Sequence, residues 1–570
     1  MQTKTIKKIL LFGLILGLLL LGGGYAGYRA YKSARQARLI TQARNFLAKP
    51  NERKALLCLQ RALRYNPKDV EACRLMADLT ERARSPGALI WRSRVVELNP
   101  RSLDDRLALA QTAMMFRDYG SATNALGGVD AAGQKTAAYH NLAGTVAAAA
   151  NQSAEAEAHF VEAARLEPQN LVPQLNLAVV RLHGTNMPAL VDARAALQRI
   201  SSNPTNSGLR CQAVRELAVD AMRYKQLAAA LALSKQLLQE TNSVFTDRLL
   251  RLNVLKATQS AEFKPALAAF QREADTNIAK IYELGLWRMA NTGPAETLAW
   301  LRTLPPDTQT NRTVALQVAE CQTVLQDWKG LQVSIEKQYW AELEFIRYAF
   351  MTRALRGQDL TGAAKGQWEL GLKTANDSAV RSNPKSPQPL FMLLQLAAQW
   401  TWQSEAEELL WNIVNNFPNE KRASGALAQV LFAGGRTRPL MMFYSQELKR
   451  SPTSLAIKNN LAMTAFLLDA MELKPHDLAR EVYQQAPTNL SYASTYAFSL
   501  HLQKKNAEAL KVFQQLQAKD LENPSVAGYY GLVLKATGNP NKARVYLEWA
   551  SKAPMLPEEK KLFDRAKAGA

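Results

Sequence analysis

Apolar residues recur through most of this chain three or four positions apart, the spacing of one helix face, and the segments that carry them come in pairs joined by turns. The clearest pair spans 525–554. Ala527, Tyr530, Gly531 and Leu534 share a stripe of a first helix, Gly538-Asn539-Pro540-Asn541 supplies a turn, and Ala543, Leu547 and Ala550 line a second helix. This pattern predicts a helical hairpin. A small residue at the place where the second helix crosses the first recurs at Ala55, Ala88, Ala122, Ala156, Ala193, Ala230, Ala266, Ala295, Ala364, Ala406, Ala479, Ala509 and Ala543, with Leu331 and Leu440 as larger members of the series. The first and last lie 488 residues apart over fourteen steps, a period of about 35. Prolines give a second ruler: Pro67 to Pro100 is 33 residues, Pro418 to Pro452 is 34 and Pro452 to Pro487 is 35. Proline ends a hairpin there because it lacks the N–H that would continue a helix.

Tyr530, Gly531 and Leu534, followed by Ala543, Leu547 and the closing Pro554, resemble the tetratricopeptide-repeat pattern W-x2-L-G-x2-Y, A-x3-F, P. The resemblance implies an all-α, right-handed superhelical solenoid of helix-turn-helix repeats, which suits a chain of 570 residues, too long for one core. It also implies that partner proteins are held as peptides or helices in a concave groove lined by first helices. In such proteins an asparagine just before the large residue of the first helix grips the ligand backbone, and Asn141, Asn176 and Asn460 occupy that place, each followed by Leu-Ala. Asn141 and Asn176, in adjacent units, form a candidate short ladder.

Within this frame the chain divides into a basic segment 1–8, an apolar run 9–28, repeats over 29–241, a weaker stretch 242–388, clear repeats over 389–554, and a tail 555–570 whose 556–568 part reads as a charged capping helix with Leu562 and Phe563 as its apolar contacts. The weaker stretch reads either as divergent repeats or as a different two-helix packing. The middle of the chain concentrates tryptophan at 287, 300, 328, 340, 368, 400, 402 and 411, as core filling or as anchors of a peptide groove.

The run 9–28 holds twenty uncharged residues, enough at 1.5 Å per residue to cross a bilayer, so one N-terminal transmembrane helix is expected, with a cleaved signal peptide as the competing reading. Which membrane face carries the repeats stays open, because Lys4, Lys7 and Lys8 on one flank compete with the cations on the other. Gly13 and Gly17 form a G-x-x-x-G that could pair two anchors into a homo-oligomer. The net charge of +22 favours anionic partners, and between 29 and 68 eleven Lys or Arg face the single acid Glu52. Arg29, Lys32, Arg35, Arg38 and Arg44 are the candidate contacts to an anionic lipid surface, the alternative being solvated helix faces. Nucleic acid is disfavoured, since no reading module accompanies the charge.

No catalytic, cofactor-binding or metal-binding residue is expected. The chain has no H-E-x-x-H, phosphate-binding G-x-x-x-x-G-K-[ST] or G-x-S-x-G sequence, its five histidines are separated from one another, and its four cysteines form no C-x-x-C pair. The expected function is that of a non-enzymatic, membrane-tethered scaffold that recruits partner proteins. An accessory subunit of an envelope or polysaccharide assembly complex, or a binder of anionic lipid or acidic polymer through 29–68, are the alternatives.

Overall fold

The computed structural model describes residues 30–49, 51–382 and 385–568, so the expected span 9–28, Gly13, Gly17 and Arg29 lie outside the described residues. Among the described residues every regular element is helical, and no helix is long and apolar enough to cross a membrane. The described residues form two compact units, divided between Trp287 and Arg288. In the first, a helix over 30–48 pairs with Glu52–Tyr65, and antiparallel pairs continue through Ala137–Ala149 with Ser153–Leu166 and Leu171–Leu182 with Met187–Ser201 to Phe245–Ala257 with Phe263–Ala274. In the second, the pairs run from Arg312–Val324 with Trp328–Ile335 to Pro524–Ala536 with Pro540–Ala550. The architecture is a tetratricopeptide-like helical repeat.

Three local rules recur through the pairs. At the junctions Pro67-Lys68-Asp69, Pro100-Arg101-Ser102, Pro168-Gln169-Asn170, Pro204-Thr205-Asn206, Pro452-Thr453-Ser454 and Pro487-Thr488-Asn489, proline closes one hairpin, and the side chain two positions on accepts a hydrogen bond from a backbone N–H of the next first helix. Each such cap contributes roughly 0.5–2 kcal/mol. In most pairs the turn contains one left-handed residue, at Arg84, Arg117 and Asn151, at Lys225 and Gln259, at Gln326 and Asp359, and at Lys504 and Gly538, so within each of these runs the backbone repeats every 33 or 34 residues whatever side chain is present.

The third rule is the crossing of the two helices. A Cβ added at Gly531 would sit 3.1 Å from the Ala543 carbonyl and 2.8 Å from Leu547, and one at Gly144 would sit 2.7 Å from the Phe160 ring, so small residues are required where the helices touch. Ala543 is fully buried. Ala543→Trp is therefore expected to overpack this crossing and lower stability by about 1–3 kcal/mol in denaturant unfolding; an unchanged midpoint would place the crossing elsewhere. Twelve of the fifteen small-residue places are buried, Ala266 and Ala406 are half-buried, and Ala295 is exposed. The eight-residue helix Pro294–Leu301 turns Thr297, Leu298, Trp300 and Leu301 inward instead.

Residues 242–388 still alternate helices, but their lengths vary: Pro294–Leu301 and Trp328–Ile335 have 8 residues and Thr361–Arg381 has 21. Tryptophans fill the resulting irregular core. Trp287, Trp300, Trp340, Trp368, Trp400 and Trp402 are buried, while Trp328 and Trp411 are half-buried. Rings pack edge-on or tilted from Trp340 to Phe350, Phe350 to Trp400, Trp400 to Trp402 and Trp402 to Trp368, with centroids 4.9–6.3 Å apart. The Arg353 guanidinium lies 5.2–5.8 Å from the ring centroids of Trp328, Trp400 and Trp402, and burial and then Arg356 lower its pKa.

Consecutive units are also tied by polar side chains about one period apart. In the first unit Gln36 donates to Asp69 at 2.8 Å, Arg74 to Asp105 at 2.6 and 2.7 Å, and Arg215 to Asp247 at 2.6 and 3.0 Å. Burial alone would push the Asp105 carboxyl up, but bonds from Arg74, Ser102 and Asn99 outweigh it and hold the pKa below the ordinary carboxylate value. A lowered native pKa means that the ionised form stabilises the fold, fully so above about pH 4 and decreasingly as pH falls through the native value. Asp105→Asn is expected to cost about 1–3 kcal/mol at pH 7 by denaturant unfolding, and the gap from the parent protein should close below about pH 4. A gap that stays constant with pH would remove this assignment.

The tail forms the helix Pro557–Ala568, which covers the last pair. Phe563 is buried against Gly528, where an added Cβ would come within 2.4 Å of its ring, Lys535 Nζ donates to the Ala566 carbonyl at 2.6 Å, and Tyr529 donates to Glu559. The start of this helix and the residue before it reach a distant turn as well. Thr437 donates to Glu558 across 121 residues of sequence, Pro557 lies over Gly435, and Leu556 is buried.

Candidate functional site

Thr136 caps the helix Ala137–Ala149 and Asn170 caps Leu171–Leu182, which sets the two first helices side by side in the same register. Asn141 and Asn176 then meet: Asn176 Nδ2 donates to Asn141 Oδ1 at 3.0 Å, and both side chains are half-buried. Each amide keeps one polar atom with no protein partner and with access to solvent, the Asn141 Nδ2 donor and the Asn176 Oδ1 acceptor. One donor beside one acceptor is the complement of a peptide unit.

Asn460 lies in the other unit and does not extend this pair. Its Oδ1 accepts from Asn459 Nδ2 at 3.3 Å, and its side chain hydrogen-bonds the Tyr444 hydroxyl, whose pKa burial raises. The places 34 and 68 residues further on are Ser494, which is buried, and Gly528, which the Phe563 ring covers. The last repeats therefore present no row of amides at this position.

The cations of the first helix separate by face. Arg35 and Arg44 are nine positions apart, half a turn out of phase, and Arg44 pairs with Glu71. Lys32, Arg35 and Arg38 share the other side. Arg61, Arg64 and Tyr65, at the end of Glu52–Tyr65, come alongside that face and with Lys32, Arg35 and Leu39 line an open concavity of about 460 Å³. Arg35 also donates to the Tyr31 hydroxyl and lies 5.7 Å from the centroid of that ring.

The histidines are less scattered than their sequence positions imply. His140 and His159 face each other across one hairpin with Nδ1 atoms 2.9 Å apart, and burial first, then the neighbouring His159, lower the His140 pKa. The pairing was hidden because the two residues belong to different helices 19 positions apart. His476 meets Ser499 at 2.7 Å and His501 meets Asn506 at 2.8 Å. Among the described residues no group of three His, Cys, Asp or Glu could hold a metal ion. Cys73, Cys211 and Cys321 are buried, Cys58 is half-buried, and all four are free thiols. Burial, reinforced by Glu320, pushes the Cys321 thiol up to about 12.

No protein-family model matches the chain, and no curated protein matches it. Among solved structures it is similar to PilF of Pseudomonas aeruginosa, with 16% identity over 36% of this chain and 92% of that one and a TM-score of 0.30. It is also similar to a chain of the Cut9–Hcn1 hetero-tetramer of the APC/C, with 12% identity over 82% of this chain and 96% of that one and a TM-score of 0.30. A third is a chain of Naa15/Naa10 bound to HypK-THB, with 12% identity over 94% of this chain and 78% of that one and a TM-score of 0.24.

Proposed function

We propose that this chain is a non-enzymatic scaffold that binds an extended segment of a partner protein across the first helices Ala137–Ala149 and Leu171–Leu182, and that the apolar run 9–28 tethers it to a membrane. The observation that carries the binding reading is the Asn176–Asn141 hydrogen bond, which leaves one amide donor and one acceptor facing solvent on neighbouring helices. A peptide backbone satisfies both at once and independently of its sequence. The tether rests on twenty uncharged residues in succession.

A photo-crosslinking residue placed at 141 or 176 in the full chain tests the surface in cells, with one at the exposed Val161 on the second helix as control. The same partner should be captured from 141 and 176 but not from 161. Its affinity should fall about tenfold in the Asn141→Ala, Asn176→Ala double variant, the loss of two hydrogen bonds of about 0.5–1.5 kcal/mol each. Equal capture from all three positions, or unchanged affinity, would exclude the amide pair as the contact. Carbonate extraction of cell membranes tests the tether, which requires the chain to stay in the pellet.

A further inference from the structure

We infer that the concavity lined by Lys32, Arg35, Arg61 and Arg64, with Leu39 and Tyr65 as its apolar and aromatic sides, is a binding site for a phosphate group. The cations come from two helices and from both sides of the hairpin turn, so folding gathers charges that the sequence keeps up to 32 residues apart. No carboxylate lines the cavity. Between 29 and 68 the one acid is Glu52, at the far end of the antiparallel partner helix, and the nearby Asp69 is engaged by Gln36 Nε2 and by the Ala72 N–H. Among the described residues Arg35, Arg61 and Arg64 form no ion pair, whereas Arg44, on the opposite face, pairs with Glu71. Like charges held together on one face repel unless a mobile or bound anion offsets them.

Arginine also selects the anion. Its planar fork of N–H donors matches the oxygens of a phosphate two at a time, and three guanidinium groups around about 460 Å³ leave room for a phosphate with a short organic substituent. Leu39 and the Tyr65 ring offer that substituent an apolar wall. Lys32 follows Tyr28, the last residue of the apolar run, by four positions. If that run lies in a bilayer, as proposed above, the cavity sits at headgroup level and its natural ligand is the phosphate of an anionic phospholipid. A soluble phosphate ester has the same chemistry and does not depend on the membrane reading.

The test uses the full chain in micelles of an uncharged maltoside detergent at low ionic strength, with binding read by titration calorimetry. The probes are dihexanoyl phosphatidylglycerol, dihexanoyl phosphatidylcholine, inorganic phosphate and a hexaglutamate peptide. Phosphatidylglycerol should bind more tightly than phosphatidylcholine, and its affinity should drop at least about tenfold in Arg61→Glu, Arg64→Glu and again in Arg35→Glu, but not in Lys542→Glu, Arg544→Glu on the exposed face of the last pair. Phosphatidylglycerol tighter than inorganic phosphate assigns the lipid as the source; inorganic phosphate equal or tighter, with the same variant losses, assigns a soluble phosphate. Equal binding of the two lipids with inorganic phosphate no tighter than either, affinity unmoved in both sets of variants, or tighter binding of hexaglutamate than of either phosphate ligand would overturn the site. Loss of the membrane tether would appear only in carbonate extraction, so the two failures are distinguishable.

Discussion

Trp340→Ala is expected to destabilise the second unit by about 3–5 kcal/mol, the range for emptying a large aromatic site in a packed core. Trp340 is fully buried, with its ring 6.3 Å from that of Phe350, its Nε1 donating to Gln338 at 2.8 Å and its backbone N–H donating to Glu344 at 2.9 Å. Glu344 is in turn held by Arg347 through a bond of 2.9 Å from Nε, so the cavity would open beside a buried ion pair that cannot relax into it cheaply. Trp340→Phe keeps most of the volume and loses only the Gln338 bond, and should cost about 1–2 kcal/mol. Because repeat proteins are held by neighbour contacts, the alanine variant should raise protease sensitivity around 336–381 and leave the first unit's cleavage pattern unchanged. A loss below about 1 kcal/mol would mean that the aromatic cluster is not the core of these divergent repeats.

Phe563→Ala is expected to release the C-terminal helix, with a cost of about 3–5 kcal/mol confined to the last repeats. The ring seated on Gly528 contributes more than any one of the hydrogen bonds that accompany it, from Thr437 to Glu558, from Tyr529 and the Leu556 N–H to Glu559, and from Lys535 to the Ala566 carbonyl, since bonds of this kind to a charged group are worth about 1.5–3 kcal/mol each. Hydrogen exchange should therefore accelerate in Pro557–Ala568 and along the face of Pro524–Ala536 that it covers. Gly528→Ala should act in the same direction without touching the helix itself, because the new methyl meets the ring head-on. Unchanged exchange in both variants would show that the tail is held by its upstream contacts at Gly435 and Thr437 instead.

The hairpins were legible because their two requirements fall on residue types: a small side chain at the crossing, as at Ala55, Ala156 and Ala543, and a proline at the junction. Ala295 misled for the same reason, since alanine is also common on exposed helix faces and the short helix that carries it has another residue at the crossing. The turns between paired helices were hardly legible, although their backbone is the most regular feature of the chain. Arg, Asn, Lys, Gln, Asp, Thr and Gly all take the left-handed position there, at a cost of about 1–2 kcal/mol for most residues other than glycine, which the two flanking helices offset. The Pro-x-Asp/Ser/Asn junction is visible in the sequence and marks six of the first-helix starts. The candidate sites were less accessible than the fold. Asn141 and Asn176 could be matched by period, but the single hydrogen bond that orients them could not, and neither could the split of the basic stretch into Arg44 paired with Glu71 and Arg35 brought beside Arg61 and Arg64. Such groupings depend on which way two helices face, which one-dimensional spacing does not encode.

The sulfur chemistry of the chain has a practical side. Maleimides and disulfide reagents attack the thiolate, and a thiol whose pKa stands at about 12, as at Cys321, or that is sealed in a helix interface like Cys73 and Cys211, offers almost none at neutral pH. With Cys58 changed to alanine, a cysteine introduced at any exposed position would take up a fluorophore or spin label nearly alone. Distances across each array of repeats could then be followed in solution without rebuilding its interior.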